Sequence, residues 1–339
     1  MHEIGSLVVQ GGDVASDALG GRDTILVAGN GLALDLFYNL SDFKSWNPST
    51  PLQWNIRNPF TENELLLEAL PHAHDRVKRV LRSSPDAHDF EVFRQALDGY
   101  DVHDDLTLRT AVELRHFLAI AYSHYQRAIK PGVRDPSWRL RAYIRSIAPK
   151  LLGIISFNYD VTLETIVAGA GRQLLHLAVD EDRQRLPKLP AALPVMKPHG
   201  SINYAPVPGL FGGALAKPSL PPAIYVEQSE YPRRLLPSKE WPLARQVADL
   251  VIPSEASRYL TFRWTAPVWS FITHFGRTTK TFIFLGLSYA PVDRPELNLI
   301  MNTAGSHAQA IFINPQPSQA MLDYADRVFE HVSVCTELA

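Results

Sequence analysis

Five short polar stretches in this chain of 339 residues follow apolar runs, and each has residue types that could do chemistry. They are Gly29-Asn30-Gly31, Asn158-Tyr159-Asp160, His199-Gly200-Ser201, Gly286-Leu287-Ser288 and Asn314-Pro315. Two glycines after a strand let the backbone approach a phosphate, and the helix that follows presents free N–H groups to an anion. The same residues also describe a tight turn without a ligand, and "GNGLAL" lacks the third glycine of the dinucleotide fingerprint. Asn158 and Asp160 stand where "LLGIIS" meets "VTLE". They are either a ligand-facing pair or the cap of the next helix. His199 in "KPHGSINY" is either a general base working near neutral pH or a satisfied structural histidine, with Gly200 leaving room beside its ring.

"FLGLSYA" nearly matches the nucleophile elbow of serine hydrolases. With Asp323 or Asp326 and His331 further along the chain, Ser288 could serve as a nucleophile. Metal chemistry is not expected. There is no H-E-x-x-H, no phosphate-binding G-x-x-x-x-G-K-[ST] and no zinc spacing of cysteine and histidine. The only cysteine, Cys335, can build neither an intrachain disulfide nor a cysteine zinc site.

The elements that must position these groups follow from hydrophobic period. "DTILVAGNGLALDLFYNL" reads as strand, tight turn and helix. Residues 41–60 read as a long loop. From Glu62 to about Lys150 apolar residues recur at spacings of three and four, which predicts a helical block, with Asp89, Asp105 and Ser137 as N-caps. The apolar start of "LLGIISFNYDVTLE" (Leu151 to Glu164), then Gln173–Val179, Pro194–Ser201, Lys280–Tyr289 and "QAIFINPQP" read as strands. "APVWSFITHFGRTT", "PELNLIMNTAGS" and "SQAMLDYADRVFEH" read as helices. Strands alternating with helices predict an α/β fold: a Rossmann-like parallel sheet with helices on both faces, plus the inserted helical subdomain at about 62–150. In such sheets ligands sit at the carboxyl ends of the strands, so the five polar stretches share one rim.

Apolar residues make up 46% of the chain, charged residues 20%, and the net charge is −2. That balance gives no reason to expect a nucleic-acid surface. No transmembrane span and no secretory signal is expected, so the default location is cytoplasmic.

Taken in order, "LVAGNG", "SFNYD", "KPHGSINY", "LVIPSEA", "FLGLSYAPVD" and "IFINPQP" resemble the SIR2-like (sirtuin-type) superfamily, in its branch of bacterial NAD-consuming anti-phage effectors. The resemblance runs from about residue 23 to 318. It implies one NAD-binding domain over 23–339 after an N-terminal segment 1–22. It implies that Ala28, Gly29, Asn30 and Gly31 cradle the diphosphate of NAD. Asn158 would orient the reacting ribose or a water, Asp160 would face the nicotinamide carboxamide, and His199 would act on ribose hydroxyls as general base. Gly286, Ser288 and Asn314 would hold the adenosine half. The four-cysteine zinc module of deacetylating sirtuins cannot be built here, so no zinc is expected and water is expected to replace acyl-lysine as acceptor. The implied activity is an NAD+ glycohydrolase releasing nicotinamide and ADP-ribose, as an abortive-infection anti-phage effector. A homo-oligomer or a regulatory partner protein of a defence system would restrain it. Two alternatives stand beside it: an NAD- or NAD-derivative-binding scaffold without catalysis, and the serine hydrolase centred on Ser288.

Overall fold

The computed structural model describes residues 21–39, 52, 54–61, 63–99, 101, 103–189, 191–207, 218–225, 232–252 and 264–337. Its centre is the run Thr24–Ala28 (β1), five residues rich in branched side chains and buried throughout. β1 pairs in parallel with Leu151–Ser156 (β2) on one side and with Thr281–Leu285 (β7) on the other. Beyond β2 lie Leu193–Met196 (β4) and Leu174–His176 (β3). Beyond β7 lie Gln309–Ile313 (β8) and His331–Cys335 (β9), giving a seven-stranded parallel sheet in the order β3-β4-β2-β1-β7-β8-β9. A two-stranded antiparallel ribbon, Tyr204–Pro206 (β5) with Arg233–Leu235 (β6), stands apart.

Side chains alternate along β1, so Leu26 and Ala28 enter one core while Ile25 and Val27 enter the other. The first core is covered by Gly31–Asn39 (α1), Pro71–Ser83 (α2), Asp89–Ala96 (α3), Asp105–Val133 (α4), Arg139–Ile147 (α5) and Thr162–Gly169 (α6). A short helix, Asp180–Arg185 (α7), follows β3. The second core is covered by Ala266–Gly276 (α8), Arg294–Asn302 (α9) and Gln319–Ala325 (α10). The architecture is therefore the expected Rossmann-like α/β sheet with helices on both faces.

Several boundaries differ from expectation. α2 starts at Pro71, not at Glu62, because proline suits the first turn of a helix and "ELLLEAL" buries Leu66, Leu67 and Leu70 outside any helix instead. The cap of α4 is Asp104, whose carboxylate accepts from Thr107 N at 2.9 Å, and not Asp105. α5 is preceded by Trp138, with no side-chain cap, so Ser137 does not cap it. Asp89 opens α3 but turns its carboxylate away, accepting from Leu52 N and Trp54 Nε1 at 3.1 and 3.0 Å. Residues 41–51 and 53 of the expected loop, the segment 1–20, and residues 253–256 of "LVIPSEA" lie outside the described residues.

Candidate active site

The chain leaves β1 towards β2 on one side and returns to β7 on the other, so the sheet's topology reverses beside β1. A crevice is expected at such a point, outside the carboxyl ends of the strands. A cavity of about 1080 Å³ lies there. Its wall includes Gly29, Asn30, Gly31, Asn158, Asp160, His199, Gly286, Ser288 and Asn314. Ala28 is fully buried at the end of β1 and does not reach the cavity.

The rim residues also tie the rim together. Gly29 N donates to Leu285 O at 3.0 Å and Gly31 N to Gly286 O at 2.7 Å. A Cβ on Gly31 would stand 2.4 Å from Gly286 Cα, and Gly286 has φ +57°. Both glycines are therefore required by the close passage of two backbones, and these two amides are already engaged. Asn158 Nδ2 donates to Gly29 O at 3.0 Å, which leaves its amide oxygen as the group to offer a ligand. Asn314 Nδ2 donates to Leu287 O at 2.9 Å, and its Oδ1 accepts from Gln316 N at 3.0 Å. Asp160 Oδ1 accepts from Thr162 N at 2.8 Å, so this aspartate anchors the start of α6 while lining the cavity. Lys197 Nζ donates to Asp160 O and pairs with Glu164 at 3.0 Å, with both side chains buried. That pair fixes the turn after β2 against the loop after β4.

His199 sits on that loop. Its Nε2 donates to Glu296 Oε2 at 3.1 Å, and the edge of its ring contacts Phe157 with centroids 5.0 Å apart. Burial pushes its pKa down. The Glu296 charge and hydrogen bond, the Asp293 charge and a hydrogen bond to the Phe157 backbone outweigh burial, and the net shift is upward. Asp293, also on the cavity wall, is pushed up to about 6 by burial, against the His199 charge. Gly200 does not make room for a substrate: with φ +82°, a Cβ there would meet Asp249 O at 2.0 Å, so a neighbouring backbone fills the space.

Glu296 and Asp293 were not among the expected site residues. "VDRPEL" has the local form of a helix start, and nothing local reveals a partner 97 residues away. The serine-hydrolase arrangement does not assemble. His331 is in register with Gln309 and, through it, with Thr281 at the amino end of β7. Ser288 lies past the carboxyl end of the same strand, so β7 alone separates the two levels by roughly 13 Å.

No protein-family model and no curated protein matches the chain. Among solved structures it is similar to a mutant Sir2 homologue bound to 2′-O-acetyl ADP ribose, at 11% identity and a TM-score of 0.35, over 95% of this chain and 89% of that one. It is similar to a mutant Sir2 homologue bound to ADP ribose at 11% identity and a TM-score of 0.34, with the same coverage. A structure described as the basis for the mechanism and regulation of Sir2 enzymes aligns at 11% identity and a TM-score of 0.29, over 94% and 88%.

Proposed function

We propose that this protein is an NAD+ glycohydrolase, cleaving the bond between nicotinamide and ribose to give ADP-ribose. The observation that carries the reading is the convergence of five sequence-distant polar stretches on one cavity at the reversal point of the sheet. At about 1080 Å³ that cavity is large enough for a dinucleotide, at the top of the usual range for ligand sites, about 300–1,000 Å³.

The chemistry needed is modest. Nicotinamide is cationic in NAD and leaves as a neutral molecule. As its bond to the ribose breaks, positive charge builds on the sugar, and oriented dipoles placed beforehand stabilise that charge. The amide oxygen of Asn158, held by the Gly29 contact, supplies such a dipole and orients the attacking water. The second carboxylate oxygen of Asp160 faces the departing carboxamide. His199 takes a hydroxyl proton on Nε2 as the proton it shares there passes to Glu296, which also fixes the ring. With the amides of Gly29 and Gly31 engaged, Asn30, exposed at the turn, is the residue there that meets the diphosphate. Ser288, also exposed, lies towards the adenosine half.

Uncontrolled NAD loss is toxic, and an anti-phage effector of this kind requires restraint by self-association or by a partner protein. Incubation with NAD, with nicotinamide and ADP-ribose separated chromatographically, tests the reading. Release of both products that depends on His199 is expected. Binding of NAD by calorimetry without nicotinamide release would replace the hydrolase with a binding scaffold. Light scattering run beside the assay tests the restraint: activity confined to one assembly state is expected, and a fully active monomer would refute it.

A further inference from the structure

The run Asp293-Arg294-Pro295-Glu296 opens α9 with the form of a capping box, an acidic N-cap followed three residues on by glutamate. Neither carboxylate does that work. Asp293 occupies the cap position but makes no side-chain bond to its helix. Glu296 is spent on Nε2 of His199. His199, Asp293 and Glu296 each bring a ligand-capable atom within 4.8 Å of the others. Glu296 is 1% exposed, and its Oε1 has no hydrogen-bond partner among the described residues. Leaving a buried carboxylate oxygen without a donor is costly, and two carboxylates turned onto one imidazole carry net negative charge even with the ring protonated. The ring's hydrogen bond to the Phe157 backbone is the orienting contact usual for a metal-bound imidazole. Asp293 and His199 lie on the cavity wall, so an ion has an entry path and room for water ligands.

We propose that His199, Asp293 and Glu296 form a binding site for a divalent first-row cation, held by the imidazole Nε2 and one oxygen from each carboxylate. One nitrogen and two carboxylate oxygens suit Mn2+ or Zn2+, not a soft monovalent ion. The site itself is independent of the hydrolase reading, and one consequence rests on that reading. A cation on Nε2 displaces the proton shared with Glu296, occupies the nitrogen through which the hydroxyl proton would pass, and sets like charge beside the developing ribosyl cation. Cation occupancy and NAD turnover therefore exclude one another.

The test is titration of the metal-depleted full chain with Mn2+ alone, followed by calorimetry and pulsed electron paramagnetic resonance. One saturable site is expected, with nitrogen coupling from a single imidazole. Asp293→Asn and Glu296→Gln should each weaken binding at least about tenfold, since even outer-shell changes cost about 10–100-fold. His199→Gln should abolish the nitrogen coupling. Asp293 is only partly buried, so Asp293→Asn keeps the test sound if Glu296→Gln fails to fold. Absence of a saturable Mn2+ isotherm, binding indifferent to Asp293→Asn, or a bound ion without nitrogen coupling would overturn the site. Saturating Mn2+ that leaves NAD turnover unchanged would overturn the exclusion. A chain that never releases nicotinamide counts against the hydrolase reading, and the isotherm still decides the cation site.

Discussion

In the proposed reaction most depends on His199, whose ring is held by several neighbours at once. Glu296 orients it, Phe157 packs its edge, and Asp293 adds negative charge from the cavity side. His199→Ala is expected to lower NAD turnover by about 10²–10⁴-fold, the range for loss of a general base, and to lower the melting temperature as well, because Glu296 is left buried without its partner. Asn158→Ala should act in the same direction by loosening the rim and removing the oriented amide oxygen. Steady-state nicotinamide release beside a thermal melt separates the two effects. Near-native turnover in both variants would sink the assignment. Gly31 makes the opposite prediction. Its Cβ would strike Gly286 backbone, which cannot swing aside as a side chain can. Gly31→Ala should cost more than about 2 kcal/mol of stability, seen as an earlier chemical denaturation midpoint, whether or not NAD is ever bound.

Elements matter here because the site is assembled by loops that must keep register with one another. The Lys197–Glu164 pair joins the loop after β4 to α6 in a place with almost no water. Removing one partner of such a pair leaves a buried charge, and Lys197→Met should destabilise the chain by about 3–5 kcal/mol. The double variant with Glu164→Leu should recover most of that loss, because two apolar groups of similar volume carry no desolvation cost. If the double variant melts no later than the single one, the pair is not what holds these elements. The elements themselves were unevenly legible in the sequence. Runs such as "TILVA" and "TFIFL" are strands because they are buried on both faces and bounded by polar turns. The last strand was not legible. "HVSVC" is largely exposed at the sheet edge, continues directly from a helical stretch and gains its identity from pairing with β8. The rim was legible because its polar residues follow apolar runs. Glu296 and Asp293 were not, because their sequence fits a helix start and only the fold brings His199 to them.

At the scale of the whole molecule, the two cores on either side of the sheet enclose ionisable groups whose burial sets how stability responds to acid. His176, on edge strand β3, has the Tyr204 hydroxyl 3.1 Å from its Nδ1. Burial, helped by the Lys197 charge, pushes its pKa from 6.5 down to about 3. His116, flanked by the carbonyls of Val112 and Arg245, is pushed down to about 4 by burial, which those carbonyls only partly offset. Below about pH 6.5 the unfolded chain binds protons that the native histidines refuse, so stability falls with pH until the folded pKa is passed. Asp89 works the other way. Burial raises it to about 6 against its bonds to Leu52 and Trp54, so the native state takes up its proton first and gains stability as pH falls from about 6 towards 4. Wild-type acid sensitivity is thus a difference of opposing contributions, and single variants resolve it. At about 1.4 kcal/mol per pKa unit, His176 accounts for a loss of about 3 kcal/mol between pH 7 and about pH 4.5. His176→Gln should therefore lose about 3 kcal/mol less than the parent over that interval in urea titrations. Asp89→Asn should lose about 2 kcal/mol more, because the compensating proton uptake is gone. Parallel pH profiles for the parent and His176→Gln would show that this histidine is protonated in the native state, and would remove the link between the buried edge strand and acid unfolding.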